Sequence, residues 1–175
     1  MEKLHGIEVA KEGEFYGKLV AEAKALIDGE DDLIANAANV ASLVFHALNE
    51  RRPNAVNWVG FYFVRGTPPI LVLGPFQGKI ACLRIPKGRG VCGGAWEKRE
   101  TLLVKDVHAF PGHIACDSAS NSEIVVPIIS PITNVVGVFD IDSPTVNGLN
   151  EEDAAGLEAI ANVLAKEGKW VQLNY

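Results

Sequence analysis

Two periods of apolar and polar residues alternate along this chain, and the places where one gives way to the other outline its elements. Phe15, Leu19, Ala23, Leu26 and Ile27 recur at helical spacing, and Leu33, Ala37, Val40, Ala41, Val44 and Leu48 repeat the pattern after the acidic Glu30-Asp31-Asp32. Two amphipathic helices are therefore expected to lead the chain. From Val56 to Val64 the run is short and rich in β-branched and aromatic residues. Gly66, Pro68 and Pro69 then supply turn residues before a second run, Ile70-Leu71-Val72-Leu73. That order predicts an antiparallel strand pair. Further strands are expected over residues 79–85, 101–104, 123–129 and 135–141, with a short helix over 93–99. Asn150, with Asp153 three residues on, opens a last helix whose apolar stripe is Leu157, Ile160, Ala161 and Leu164.

Strands gathered between terminal helices fit an α+β layer architecture better than a regularly alternating doubly wound fold. The expectation is one mainly antiparallel central sheet with the N- and C-terminal helices packed on one face. No repeat, low-complexity tract or linker divides the sequence, so residues 1–175 are read as a single domain. With 175 residues and 48% hydrophobic content, such a domain can close a core without metal or disulfide staples. A net charge of −6, with only residues 79–89 locally basic, argues against nucleic acid as a partner. No apolar run has the length of a signal-peptide core or a bilayer span, so the expected setting is cytoplasmic, reducing and away from membranes.

Three cysteines change this picture. Cys92 lies in Gly90-Val91-Cys92-Gly93-Gly94, and Cys116 opens Cys116-Asp117-Ser118-Ala119-Ser120-Asn121, both settings where the backbone bends and a sulfur can be approached. With Cys82 the count is odd, which suits a nucleophile with one partner and one reserve better than a framework of structural disulfides.

Two further constellations lie on predicted strands. Alternation puts Val56, Trp58, Gly60, Tyr62 and Val64 on one face, so two aromatic rings flank a position with no side chain. Such a notch could seat a thioether methyl, although a core-facing strand shows the same pattern. Asp140 and Asp142 share a strand face, and Glu123 begins the neighbouring strand. Carboxyl groups crowded against apolar walls cannot all ionise cheaply, so one should hold a proton near neutral pH and serve as a general acid. The alternative is that Asp140 and Asp142 only end a strand at solvent, with Asp142-Ser143-Pro144 turning the chain.

Two other patterns point less far. Gly88-Arg89-Gly90-Val91-Cys92-Gly93 matches the dinucleotide fingerprint, but too few residues follow it for the usual crossover helix. No metal site is expected from Cys82, Cys92, Cys116, His108 and His113, because no two of the cysteines show the spacing of two to four residues that structural zinc sites use. His108 and His113 bracket Pro111-Gly112 on the approach to Cys116, where an imidazole could favour a thiolate.

Taken together, Asn57-Trp58-Val59-Gly60-Phe61-Tyr62, Leu73-Gly74-Pro75-Phe76-Gln77-Gly78-Lys79, Gly90-Val91-Cys92-Gly93 and Asp117 to Pro127 after Cys116 resemble the free methionine-(R)-sulfoxide reductases, enzymes built on a GAF domain. The resemblance spans roughly residues 15–170 and fills all three cysteine positions of that pattern. It implies a GAF-like fold and reduction of free methionine sulfoxide without a cofactor, through a thiolate, a sulfenic acid and an intramolecular disulfide that thioredoxin resets. By position, Cys116 is the expected nucleophile and Cys82 the resolving thiol, with Cys92 competing for either role. Glu123, Asp140 and Asp142 would grip the sulfoxide oxygen and the ammonium, Trp58 and Tyr62 the methyl end, and backbone amides over residues 117–120 the carboxylate. The Gly-rich segment from Cys82 to Gly94 would be a lid. Pairing through terminal helices in GAF relatives implies a possible homodimer. The competing readings are a non-catalytic GAF sensor of a small ligand or nucleotide, and a thiol switch with no substrate of its own.

Overall fold

The computed structural model describes residues 12–112, 118–130 and 134–167. Helix α1 (Glu12–Ile27) and helix α2 (Leu33–Arg51) come first. Strands β1 (Trp58–Arg65), β2 (Ile70–Gln77) and β3 (Arg84–Ile85) follow, then helix α3 (Gly90–Lys98), strands β4 (Leu102–Val104), β5 (Ser122–Ile129) and β6 (Val135–Ser143), and helix α4 (Glu151–Glu167). Among the described residues the strands form one six-stranded sheet in the order β3-β2-β1-β6-β5-β4, and every neighbouring pair is antiparallel. No described helix is long and apolar enough to cross a membrane.

The helix ends are set by the side chains the sequence placed there. Asp32 caps α2, its Oδ1 accepting the Ala35 N–H at 2.8 Å, while Glu30 accepts the Asp32 N–H at 2.7 Å. At α4, Asn150 Oδ1 accepts the N–H groups of Glu152 and Asp153, and Asp153 Oδ2 accepts the Asn150 N–H at 3.0 Å. This reciprocal cap satisfies donors that a helix start leaves open. Asp153 also takes both Arg52 Nη2 contacts, at 2.9 and 3.0 Å, and the Tyr16 hydroxyl at 2.7 Å, which ties α4 to α1 and to the end of α2.

Side-chain alternation divides the sheet into two faces with different work. Val59, Phe61 and Phe63 of β1, Ile124, Val126 and Ile128 of β5, and Phe139 and Ile141 of β6 meet the apolar stripes of α1, α2 and α4 in one buried cluster. This is the main core, and it confirms the terminal helices on one face. The opposite face carries Trp58, Tyr62, Leu71, Val125 and Val138, covered by Val91, Cys92, Ala95 and Trp96 of α3.

Three expectations needed correction. The strand expected over 79–85 shrinks to Arg84–Ile85, because Ile80 and Leu83, which read as apolar strand positions, are 88% and 73% exposed. The short helix starts at Gly90 instead of Gly93. Val56 does not share the Trp58 face: β1 begins after it, and its backbone N–H and C=O are both held by the Asn49 side chain, which keeps it in the helix-side core.

Candidate active site

Strand register assembles the acids. Trp58 lies opposite Asp142, which lies opposite Glu123, while Gly60, Asp140 and Val125 form the next row. Directly opposed residues of antiparallel strands point to the same face, so both aspartates and Glu123 emerge together on the α3 side of the sheet. Helix α3 then delivers Cys92 onto them. Its sulfur lies 3.3 Å from Asp140 Oδ2 and 4.0 Å from Glu123 Oε1. Cys92, Glu123 and Asp140 are 4%, 6% and 6% exposed, whereas Asp142 is half-buried.

The glycines before Cys92 explain why it reaches so deep. Gly88 and Gly90 adopt φ of +76° and +61°, which side-chain-bearing residues rarely adopt. A methyl on Gly93 would overlap the carbonyl oxygen of Pro86. The Gly88 N–H donates to the Gly93 carbonyl at 2.9 Å, closing the turn on the first turn of α3. The Gly-x-Gly-x-x-Gly pattern thus shapes a tight helix entry beside antiparallel strands, not a dinucleotide cradle. Cys92 accordingly sits on a packed helix, and the expectation of an adaptable loop and lid at this position is corrected.

Burial decides the protonation of the cluster. Removal from water pushes the Cys92 thiol well up, and the nearby Asp140 and Glu123 charges push it further, so it is a neutral hydrogen-bond donor to Asp140. Burial, with repulsion from Asp140 and Asp142, also raises the Glu123 carboxyl well above the usual range. Asp140 is raised by burial too, but hydrogen bonds from Cys92, Glu123 and the Ile141 backbone hold it down at about 6. Glu123 and Asp140, both raised and hydrogen-bonded to each other, therefore share a proton near neutral pH. Burial and the same acids keep the Tyr62 phenol protonated. The cluster can give a proton to an oxygen and offer negative charge to a cation.

An aromatic wall stands beside it. The Trp58 ring stacks on Tyr62 at 5.9 Å between centroids and on Phe76 at 5.2 Å. Gly60 does not leave the open notch that strand alternation suggested: a methyl there would overlap Phe76 Cβ and the Trp58 ring, so aromatic carbon already fills that space. Trp58 Nε1 donates to the Lys79 carbonyl at 3.1 Å, pinning the start of the segment that carries Cys82. Cys82 is half-buried and disulfide-bonded, while Cys92 is a free thiol.

Cys116, Asp117 and His113 fall outside the described residues. Downstream of them, Asn57 Nδ2 donates to Ser120 Oγ at 3.0 Å and the Asn121 N–H to the Ser143 carbonyl at 2.8 Å, which fixes that end of the segment beside β1 and β6. His108 is exposed, with its Nε2 2.8 Å from Asn121 Oδ1. Sequence reasoning missed Phe76, which no periodicity marks. It grouped Glu123 with Asp140 but did not set Cys92 against them, since the three come from three elements and show no short spacing.

Comparison with known proteins places this arrangement. The GAF domain family matches residues 35–166. The chain is 46% identical over 153 residues to the free methionine-R-sulfoxide reductase of Escherichia coli, covering 87% of this chain and 88% of that one. The chain belongs to the GAF-domain family of free methionine-R-sulfoxide reductases. It is also 50% identical over 151 residues to Protein YtsP of Bacillus subtilis, covering 86% of this chain and 89% of that protein. The solved structure of the free methionine-R-sulfoxide reductase from Neisseria meningitidis, in complex with its substrate, superimposes with a TM-score of 0.83 at 41% identity, covering 98% of each chain. The antiparallel sheet with three helices on one face is the GAF fold expected of this family.

Proposed function

We propose that this chain reduces free L-methionine (R)-S-oxide to L-methionine. The observation that carries the reading is the buried pair of Glu123 and Asp140, both carboxyls raised by burial, within reach of a thiol-bearing helix and beside the Trp58, Tyr62 and Phe76 wall. A sulfoxide needs such a neighbourhood: a proton for its oxygen and apolar rings for its methyl. Family membership supplies the substrate class.

In this reading the Cys116 thiolate attacks the sulfoxide sulfur, and a proton from the acid cluster goes to the departing oxygen. The sulfoxide sulfur gains two electrons and leaves as the thioether of methionine, while Cys116 becomes a sulfenic acid. The Cys82 thiol then condenses with it, forming a disulfide and releasing water. A dithiol of the thioredoxin class restores both thiols by exchange and is itself oxidised. The disulfide at Cys82 and the free, hydrogen-bonded thiol at Cys92 support Cys82 as a member of the redox pair and Cys92 as a fixed donor to Asp140. Asp142, half-buried at the rim, suits the substrate ammonium. A homodimer and a cytoplasmic setting complete the reading.

The test is thioredoxin-coupled turnover of free methionine-R-sulfoxide, the S epimer and a peptide-bound sulfoxide, followed by mass spectrometry after one turnover without reductant. Release of methionine from the free R epimer with Cys82 and Cys116 joined supports the proposal. Tight binding of a small ligand with no methionine release, unaffected by cysteine replacement, would make the chain a sensor instead.

A further inference from the structure

Cys92 Sγ, a Glu123 carboxylate oxygen and an Asp140 carboxylate oxygen all lie within 4.8 Å of one another. We propose that these three side chains form a binding site for one zinc-class divalent cation.

The distances are those a cation would ask for. With zinc–sulfur bonds of ~2.3 Å and zinc–oxygen bonds of ~2.1 Å, tetrahedral ligands stand about 3.4 to 3.6 Å apart. The observed 3.3 Å from sulfur to Asp140 and 4.0 Å from sulfur to Glu123 bracket that separation, so shifts of a few tenths of an ångström would seat the ion. The three ligands stand on α3, β5 and β6, which pack against one another, so no loop must rearrange to bring them together. Three protein ligands leave the fourth position of a tetrahedral ion open.

A second observation points the same way. Asp140 Oδ1 is buried and receives no hydrogen-bond donor. A buried carboxylate oxygen in that condition is satisfied by a shared proton on a neighbouring acid or by a cation, and the Glu123 carboxyl beside it allows either. The donor set selects the ion: one sulfur with two carboxylates suits zinc, cobalt(II) or cadmium, while magnesium and calcium require oxygen ligands throughout. The site stands on these atoms alone, whichever reaction the chain performs. An ion seated there would occupy the acids that the proposed reduction uses, so it would act as an inhibitor of that chemistry and not as its cofactor.

The test uses the full chain with Cys82→Ser and Cys116→Ser, which leaves Cys92 as its single thiol, titrated with Co2+ and followed by absorption. The expected result is one Co2+ per chain with a thiolate-to-cobalt charge-transfer band in the near ultraviolet, abolished by stoichiometric Zn2+. Adding Cys92→Ser should remove the band. Adding Asp140→Asn or Glu123→Gln should weaken binding by at least ~10-fold, since loss of even an outer-shell partner of a metal site costs that much. No band at Co2+ stoichiometry, a band that persists in Cys92→Ser, or an affinity unchanged in both carboxamide variants would overturn the proposal. Failure here leaves methionine release in the turnover assay untouched, so the two readings fall separately.

Discussion

Replacing Asp140 by asparagine removes one buried negative charge and almost no volume, and its burial sets the sign of the effect. Burial holds this carboxyl at about 6 in the folded chain against an ordinary 3.8. At about 1.4 kcal/mol per tenfold change in proton affinity, that gap corresponds to about 3 kcal/mol of penalty for the ionised native state. Because the folded value lies above the unfolded one, the native state holds more protons between pH ~4 and ~6, and its stability falls as pH rises through that window. Asparagine does not titrate. It can still accept the Cys92 S–H through Oδ1, so the variant keeps the local hydrogen bond while losing the pH-dependent penalty.

The measurement is denaturant unfolding of both proteins from pH 4 to pH 8, with the Cys82 disulfide kept oxidised and a chelator present. The stability difference, variant minus wild type, should grow by about 2 kcal/mol across this range. Relief of Glu123 from the Asp140 charge acts in the same direction and can only widen it. A difference that stays flat or shrinks with pH would refute the reasoning, because Asp140 would then not be a desolvated carboxylate. Turnover of methionine-R-sulfoxide by the same variant should fall by about 10²-fold or more, the usual scale for losing acid–base assistance.

Other expectations follow from single residues. Cys116→Ser should lower turnover by at least about 10³-fold, whereas Cys82→Ser should release about one methionine per chain and then stall as a sulfenic acid, seen by mass spectrometry with a sulfenic-acid trap. Gly60→Ala should destabilise the fold by about 1 to 3 kcal/mol, read as a lower Tm, because the added methyl overlaps Phe76 Cβ and the Trp58 ring; an unchanged Tm would mean that the aromatic wall is loosely packed. Asp153→Ala should cost about 3 to 5 kcal/mol in denaturant unfolding, since it strands Arg52 and the Tyr16 hydroxyl at a buried junction of three helices.

The long helices and the central strands were legible because their apolar residues recur at 3.6 or 2.0, and these elements bury that stripe against each other. What failed had local sequence and tertiary setting in conflict. Ile80 and Leu83 look like strand residues yet stay exposed, as β3 pairs with β2 only through Arg84 and Ile85. Gly90 argues against a helix on propensity, yet α3 starts there, three residues before the expected Gly93, because Gly93 packs tightly against the turn at Pro86 and Gly88. Within the site, period two was enough to put Asp140 and Asp142 on one face. It could not say that α3 covers this face, and so could not find Cys92 against Asp140.

The two sheet faces also explain how a chain can carry three crowded acids without unfolding. Adjacent residues of the same strands serve opposite sides: Phe61 and Phe139 stack at 4.5 Å in the helix-side core, while Gly60 and Asp140 next to them face the acid cluster. Fully burying a phenylalanine contributes roughly 1.5 to 3 kcal/mol, so one such pair offsets a penalty of the size assigned to Asp140. The β1–β6 register that stacks these rings also opposes Gly60 to Asp140, and the β5–β6 register that sets Val126 against Phe139 also opposes Glu123 to Asp142. A one-residue slip of β6 would turn both aspartates into the core and Phe139 and Ile141 out of it, losing burial and function in the same step. The strand register that sets the acid cluster is therefore held in part by apolar residues on the opposite face of the sheet.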